Sequence, residues 1–211
     1  MNPPNGLTLW GMGTARQLRP HWMLAELGLD YEYCPVHPRS GETTGPEFLA
    51  INPRHKVPVL RHGELWITES AAILLYLSEA FPRPTRIYVP ANAEGRAKLH
   101  EWCYFIMTEL DATSLYIIRR HQGLKHIYGA APVAVEQAKH YFCEQLGAID
   151  QRIGTSLLPG GFSVADILLA SCLDWAVSEQ LPLGPRASAF HAAMRARPAY
   201  QSAYAKTYRE V

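Results

Sequence analysis

Up to Phe81 the apolar positions switch between two spacings, and beyond Pro90 only the helical one persists. Leu7-Thr8-Leu9-Trp10 is a short apolar run that predicts a strand, followed by the flexible turn Gly11-Met12-Gly13. Thr14 stands three residues before Gln17, the spacing of a capping box. Leu18, Met23, Leu24 and Leu27 then form the stripe of a helix that stops at Gly28. Tyr31 to Val36 reads as a second strand with Pro35 near its end. Strand, helix and strand at this spacing make a βαβ unit, so the two strands should run parallel.

The polar, glycine-bearing stretch Arg39 to Gly45 is a loop, and Pro46 to Ile51 a short helical turn ending at Asn52-Pro53. Lys56-Val57-Pro58-Val59-Leu60 predicts a strand entered through a proline, paired with Glu64-Leu65-Trp66-Ile67 around His62-Gly63. Thr68 is a good N-cap, and the helix Glu69 to Phe81 after it is apolar at Ile73, Leu74 and Leu77. Pro82-Arg83-Pro84-Thr85 and Pro90 make the proline-dense break of the chain. From Ala93 to His121 the stripe Leu99, Trp102, Ile106, Leu110, Thr113, Ile117 has helical spacing. Pro132 starts another helix, to about Thr155, and Gly160-Gly161 breaks the chain. Ser163 faces Asp166 in a second capping box, ahead of a helix to about Val177 that is apolar nearly all round and should be a buried centre. Two short helices flank Pro198. The expected organisation is an α/β domain over 1–82, a linker over 83–92 and an all-helical domain over 93–211.

Composition removes several classes. With 20 Lys and Arg against 19 Asp and Glu in 211 residues, net charge gives no argument for nucleic acid or an acidic membrane. No apolar run is long enough to span a bilayer, and the start lacks the charged and apolar regions of a signal peptide. Cys34, Cys103, Cys143 and Cys172 include no close pair, which argues against a disulfide framework, a thiol redox pair or a metal site and suits the reducing cytoplasm.

The candidate chemistry lies at Lys56 to Leu60 and Thr68-Glu69-Ser70. A strand starting at Pro58 leaves the Val57 N–H and C=O free to pair with an added peptide strand. A helix mouth at Glu69-Ser70 offers a carboxylate to an ammonium, and a hydroxyl with free N–H groups to a carboxylate. Together they describe a receptor for a small, extended, zwitterionic peptide. The plainer alternative is a hairpin capped into a helix.

In this order of parts the chain resembles the cytosolic glutathione S-transferases. The resemblance rests on the strand-to-helix turn with Thr14, on Asn52-Pro53-Arg54-His55-Lys56-Val57-Pro58, on Thr68-Glu69-Ser70 and on Phe162-Ser163-Val164-Ala165-Asp166. It implies a thioredoxin-like N-terminal domain and an all-α C-terminal domain. It also implies that Val57 precedes a cis-proline, Pro58, and pairs with the cysteinyl part of glutathione, while Glu69 and Ser70 hold the γ-glutamyl end. His55 and Lys56 either face the glycyl end or are a solvated loop pair.

Thr14 falls where the serine-type branches carry their thiol-activating hydroxyl, and Arg16 where a bacterial branch has its cysteine. Keeping a thiol of pKa near 8.5 mostly ionised at neutral pH needs about 2.7 kcal/mol. A hydrogen bond to a charged group supplies roughly 1.5–3 kcal/mol, and a helix N-terminus about 0.3–1. Thr14 could offer both, with a positive field from Arg16, or could be only the N-cap of its helix. The electrophile is expected near Met12, Tyr104, Met107 and Thr108. The resemblance thus implies a cytoplasmic, homodimeric, bacterial-looking transferase of the serine/threonine type. It would join glutathione, without a metal, to a small hydrophobic electrophile and bind neither nucleic acid nor membrane. Glutathione-dependent reduction of peroxides or disulfides on the same site, or a non-catalytic ligand or protein carrier, are the alternatives.

Overall fold

The computed structural model describes residues 4–83 and 85–208. The segment before Pro4, expected to lack a leader, and Pro84 of the proline-dense break lie outside the described residues. Two compact units emerge: residues up to Val89 joined by those from Ala196 onward, and Pro90–Arg195.

The first unit is built on a sheet of order β2-β1-β3-β4. β1 (Leu7–Trp10) runs parallel to β2 (Glu32–Cys34) and antiparallel to β3 (Val59–His62), which pairs with β4 (Leu65–Thr68). Leu7, Leu9, Val59 and Leu60 are fully buried, so the inner strands carry the core. The predicted strand over 31–36 shortens before Pro35, which has no N–H for the ladder, and β3 likewise begins after Pro58. His62 pairs with Leu65, so the hairpin turns on Gly63-Glu64 rather than on His62-Gly63. Gly63 takes φ 58 there, a shape that tight hairpins require.

Among the described residues before Val89, three α-helices accompany the sheet. α1 (Ala15–Leu27) ends at Gly28, whose φ of 65 lets its N–H and that of Leu29 fold back on the Ala25 and Leu24 carbonyls. α2 (Pro46–Ile51) matches its predicted bounds. α3 (Ser70–Ala80) has Glu69 as its N-cap residue, at φ 69 and ψ 117, and no side-chain cap bond. Thr68 is therefore not the cap but the last residue of β4, because the chain reverses one residue later than the cap signal indicates.

The second unit is helical. α4 (Ala93–Phe105) is capped by Asn92, whose side chain accepts the Gly95 N–H at 2.8 Å. It passes into a π-helical run over Ile106–Leu115, a short α5 (Tyr116–Ile118), a second π run over Arg119–Gly123, and α6 (Lys125–Tyr128). The single helix expected over 93–121 is thus wound more widely in its second half. Bonds that span five residues move the buried face round: Ser114 and Ile118 are buried, while Thr113 is exposed and Ile117 half-buried. α7 (Pro132–Ile149) stops short of Thr155 and tightens into a 3₁₀ turn, Asp150–Arg152. In α8 (Val164–Ser178) the Ser163–Asp166 box forms, and Asp166 also accepts the Leu157 N–H at 2.8 Å. Its residues from Val164 to Leu173 are all buried, as expected of a centre. α9 (Pro185–Arg195) starts on Asp150, which accepts the Ala187 N–H at 2.9 Å. Among the described residues no helix is long and apolar enough to cross a membrane.

α10 (Pro198–Thr207) returns to the first unit, although the sequence boundary at 93 groups it with the helical part. The reason is a set of contacts with α1 and its flanks. Arg197 makes a two-pronged pair with buried Glu26 at 2.6 and 2.9 Å, and Trp22 meets Tyr200 edge-on at 5.0 Å. The Lys206 ammonium lies over the Tyr31 ring at 4.1 Å.

Candidate functional site

Three of the four sequence signals meet on α1 and the turn that leads into it. At its mouth the Thr14 hydroxyl oxygen accepts the Gln17 N–H at 3.1 Å. That bond uses an acceptor lone pair and leaves the Thr14 O–H to donate elsewhere. The turn before Thr14 is fixed from outside α1. Gly11 donates to the Cys34 carbonyl and Met12 to that of Val36, both at 3.0 Å, while Gly13 donates to that of Thr207 at 2.9 Å. Gly11 also allows a close approach, since a Cβ built on it would stand 2.6 Å from the Val57 Cβ. The turn that presents Thr14 therefore lies against the residue expected to receive the peptide.

The Val57–Pro58 peptide is cis, as the resemblance implies. The loop before it is held by buried Asn52, which donates to the Lys56 carbonyl at 2.8 Å and accepts the Arg54 N–H at 3.1 Å. His55 is exposed at φ 57, its ring nitrogen 3.2 Å from the Thr43 carbonyl, and Lys56 is exposed beside it.

At the mouth of α3 the two anchor candidates differ. Ser70 is buried, and its Oγ accepts a hydrogen bond at 3.0 Å from the guanidinium of Arg19, which is fully buried on α1. Glu69 is exposed, and one of its oxygens accepts from Arg54 at 2.9 Å. Arg54 donates as well to the Thr68 hydroxyl.

Below Thr14 the face of α1 turned to β2 is polar. Gln17 Nε2 lies 3.2 Å from His21 Nε2, and His21 Nδ1 bonds the Tyr31 hydroxyl. Burial, aided by the charge of Lys206, pushes the His21 pKa down to about 3, so the ring is neutral at physiological pH. Burial raises the Tyr31 hydroxyl above its ordinary range, Tyr33 adding to the effect.

Thr14, Val57, Pro58, Glu69 and Ser70 are thus tied to one another through α1, Gly11 and the hairpin. Arg16 is half-buried in the first turn of α1. Met12 is half-buried in the first unit. In the second, Tyr104 is 63% exposed, Met107 is half-buried, and the exposed Thr108 hydroxyl donates to the Tyr104 carbonyl at 2.9 Å. All four cysteines are free thiols, and Cys34, on β2, is held above its ordinary pKa by burial and by Glu32. Sequence reasoning missed Arg19, and it named Asn52 and Arg54 only as parts of a motif, without the supporting bonds they make. The one signal for Arg19 is a charge placed between Leu18 and Trp22-Met23 in a helix buried nearly all round.

Comparison with known proteins finds likenesses to glutathione transferases. Residues 5–79 match the family model described as the glutathione S-transferase N-terminal domain. The chain is 41% identical over 164 residues to glutathione S-transferase Z1 of Arabidopsis thaliana, covering 77% of this chain and 63% of that one. It spans 30% to 63% of the length of the first plant relatives that it matches. A glutathione transferase of Methylococcus capsulatus superposes with a TM-score of 0.81 at 29% identity, over 95% of this chain and 98% of that one. Glutathione transferase URE2P8 of Phanerochaete chrysosporium, solved with oxidised glutathione, gives a TM-score of 0.84 at 21% identity, over 97% and 95%.

Proposed function

The chain belongs to the glutathione S-transferase family, and from that premise we propose that it binds glutathione in its first unit and transfers the thiolate to small hydrophobic electrophiles. The observation that carries this reading is the state of two hydroxyls. Thr14 and Ser70 each accept from a fixed donor, Gln17 N–H and Arg19 respectively, so each O–H remains to be offered to an anion. α1 bears on both: Thr14 caps it, and Arg19, further along it, reaches Ser70, so one hydroxyl is offered to a sulfur and the other to a carboxylate.

In this reading the cysteinyl backbone pairs with Val57. The γ-glutamyl ammonium meets the Glu69 oxygen that Arg54 does not hold, and the γ-glutamyl carboxylate meets Ser70 and the start of α3. His55 and Lys56 stand on the exposed loop at the glycyl end. Thr14 donates to the sulfur, and the donation strengthens as the proton leaves, which lowers the thiol pKa. The thiolate then attacks an electrophilic carbon, forming a C–S bond as the leaving group departs or a double bond takes up the electron pair. Arg16, in the first turn, adds positive potential. A cytoplasmic homodimer of the serine/threonine type, needing no metal, completes the proposal.

Retention on immobilised glutathione, followed by turnover of a panel of aryl halides, activated alkenes and peroxides, tests it. Retention with conjugate formation is expected. A protein that passes through the resin and leaves every electrophile untouched is a carrier on a transferase fold.

A further inference from the structure

We propose that Arg19 is a positioning residue, which makes Ser70 an obligatory hydrogen-bond donor and so selects a ligand that carries a carboxylate at the mouth of α3. The inference rests on the glutathione reading above and deepens it. Arg19 and Ser70 lie 51 residues apart in the chain, yet both are buried, at 0% and 2% exposure, and they are joined by a 3.0 Å bond. A guanidinium has donors and no acceptor, and it stays protonated. In this pair Ser70 Oγ can therefore only accept. A free serine rotates its proton between donor and acceptor roles, but one whose oxygen faces a fixed cation turns its O–H away from that cation.

Ser70 is itself the first residue of α3, where no side chain caps the helix and the first N–H groups have no helical partner. Hydroxyl, N–H groups and the buried charge behind them all favour a carboxylate and disfavour an ammonium at that point. Glu69, exposed and acidic, stands on the outer side of the same mouth and suits the adjacent ammonium. The site thereby distinguishes an amino-acid head group from a plain amine.

The test compares two ligands by titration calorimetry: glutathione, and 4-aminobutanoyl-cysteinyl-glycine, the same peptide without the γ-glutamyl carboxylate. Ser70→Ala should weaken glutathione about five- to a hundred-fold and leave the analogue unchanged. Arg19→Met should do the same. In the double variant the two losses should not multiply, because both act through one hydroxyl. Arg19→Lys keeps the charge on a thinner side chain and should lose glutathione affinity partly, with the analogue again unaffected. It decides the matter by the same criterion if Arg19→Met does not fold. If Arg19 variants weaken both ligands equally or neither, Arg19 is only a core residue and the inference is overturned. If Ser70→Ala itself leaves glutathione binding intact, the assignment of the α3 mouth fails first, and Arg19 with it.

Discussion

The Arg54 guanidinium lies 2.9 Å from one carboxylate oxygen of Glu69, the group proposed to take the ammonium of the ligand. Both side chains are largely exposed, 54% and 63%, which makes this a weak pair of about 0–1 kcal/mol. Such a pair cannot shut a ligand out, but it can hold Glu69 aimed while the second oxygen stays available. Glu69 needs aiming, since its φ of 69 is a backbone shape that side chains other than glycine seldom adopt.

Arg54→Ala should therefore weaken glutathione binding by no more than about five-fold. The gap between parent and variant should close as salt is raised from about 0.05 to 0.5 M, since exposed charges are screened over that range. Calorimetry at the two salt concentrations measures it. Tighter binding by Arg54→Ala would show that Arg54 competes with the ligand instead of supporting its anchor.

The contrast between Thr14 and Arg19 explains what could be read from the sequence. Thr14, Gly28 and the Ser163–Asp166 box are short-range devices, whose partners lie within a few residues, so spacing alone reveals them. Glu69 and Ser70 were legible because a strand ends and a helix opens around them, though the cap signal at Thr68 was one residue early. Arg19 meets Ser70 across 51 residues, and Arg197 meets Glu26 across 171. No spacing rule marks such partners, because they are set by how helices pack. The π-helical stretch from Ile106 was invisible for a related reason. Apolar positions at helical spacing fit an α-helix equally well, and the wider turn shows only when Ser114 rather than Thr113 is buried.

The pair between Arg197 and Glu26 should be a stability element of the first unit. Glu26 is 5% exposed, and Trp22 Nε1 donates to it at 2.9 Å alongside the two bonds from Arg197. Arg197→Ala leaves a buried carboxylate without its charged partner. Because Arg197 itself reaches solvent, the expected cost is about 2–3 kcal/mol, below that of a fully buried pair. Thermal melting should show it as a drop of several degrees. Glu26→Gln with Arg197→Met, which removes both charges, should recover part of the loss. A variant Arg197→Ala that melts with the parent would mean that water replaces the pair without cost.

His21 sets an acid limit on the fold. Its folded pKa of about 3 lies below the ordinary 6.5, so the unfolded chain takes the proton first. The stability it contributes is fully present above pH 6.5 and is lost as pH falls toward 3, with a slope of up to about 1.4 kcal/mol per unit. Lys206 over the neighbouring Tyr31 ring opposes protonation further, and Tyr31, Tyr33 and Gln17 complete the surroundings. Denaturant titrations of the parent and of His21→Gln between pH 7 and 4.5 isolate this residue from the carboxylates. The difference in stability between the two should shrink as pH falls. A constant difference would mean that His21 binds its proton at the same pH in the folded and the unfolded chain.

Thr14 carries the chemical claim, and its two roles can be separated. As acceptor from Gln17 it caps α1, a contribution of about 1 kcal/mol. As donor it should stabilise the bound thiolate more than the bound thiol, so it acts on rate rather than on ground-state affinity. Thr14→Ser keeps both roles and should retain most activity. Thr14→Ala removes both: turnover should fall roughly ten- to a hundred-fold, glutathione affinity should hardly change, the pKa of bound glutathione should rise, and melting should occur earlier. Thr14→Asp separates them, because an ionised carboxylate caps well but has no proton to give. It should melt like the parent and turn over no faster than Thr14→Ala. If instead Thr14→Ala melts earlier but turns over at the parent rate, Thr14 is a cap alone. Arg16, half-buried in the same first turn, then becomes the residue to change.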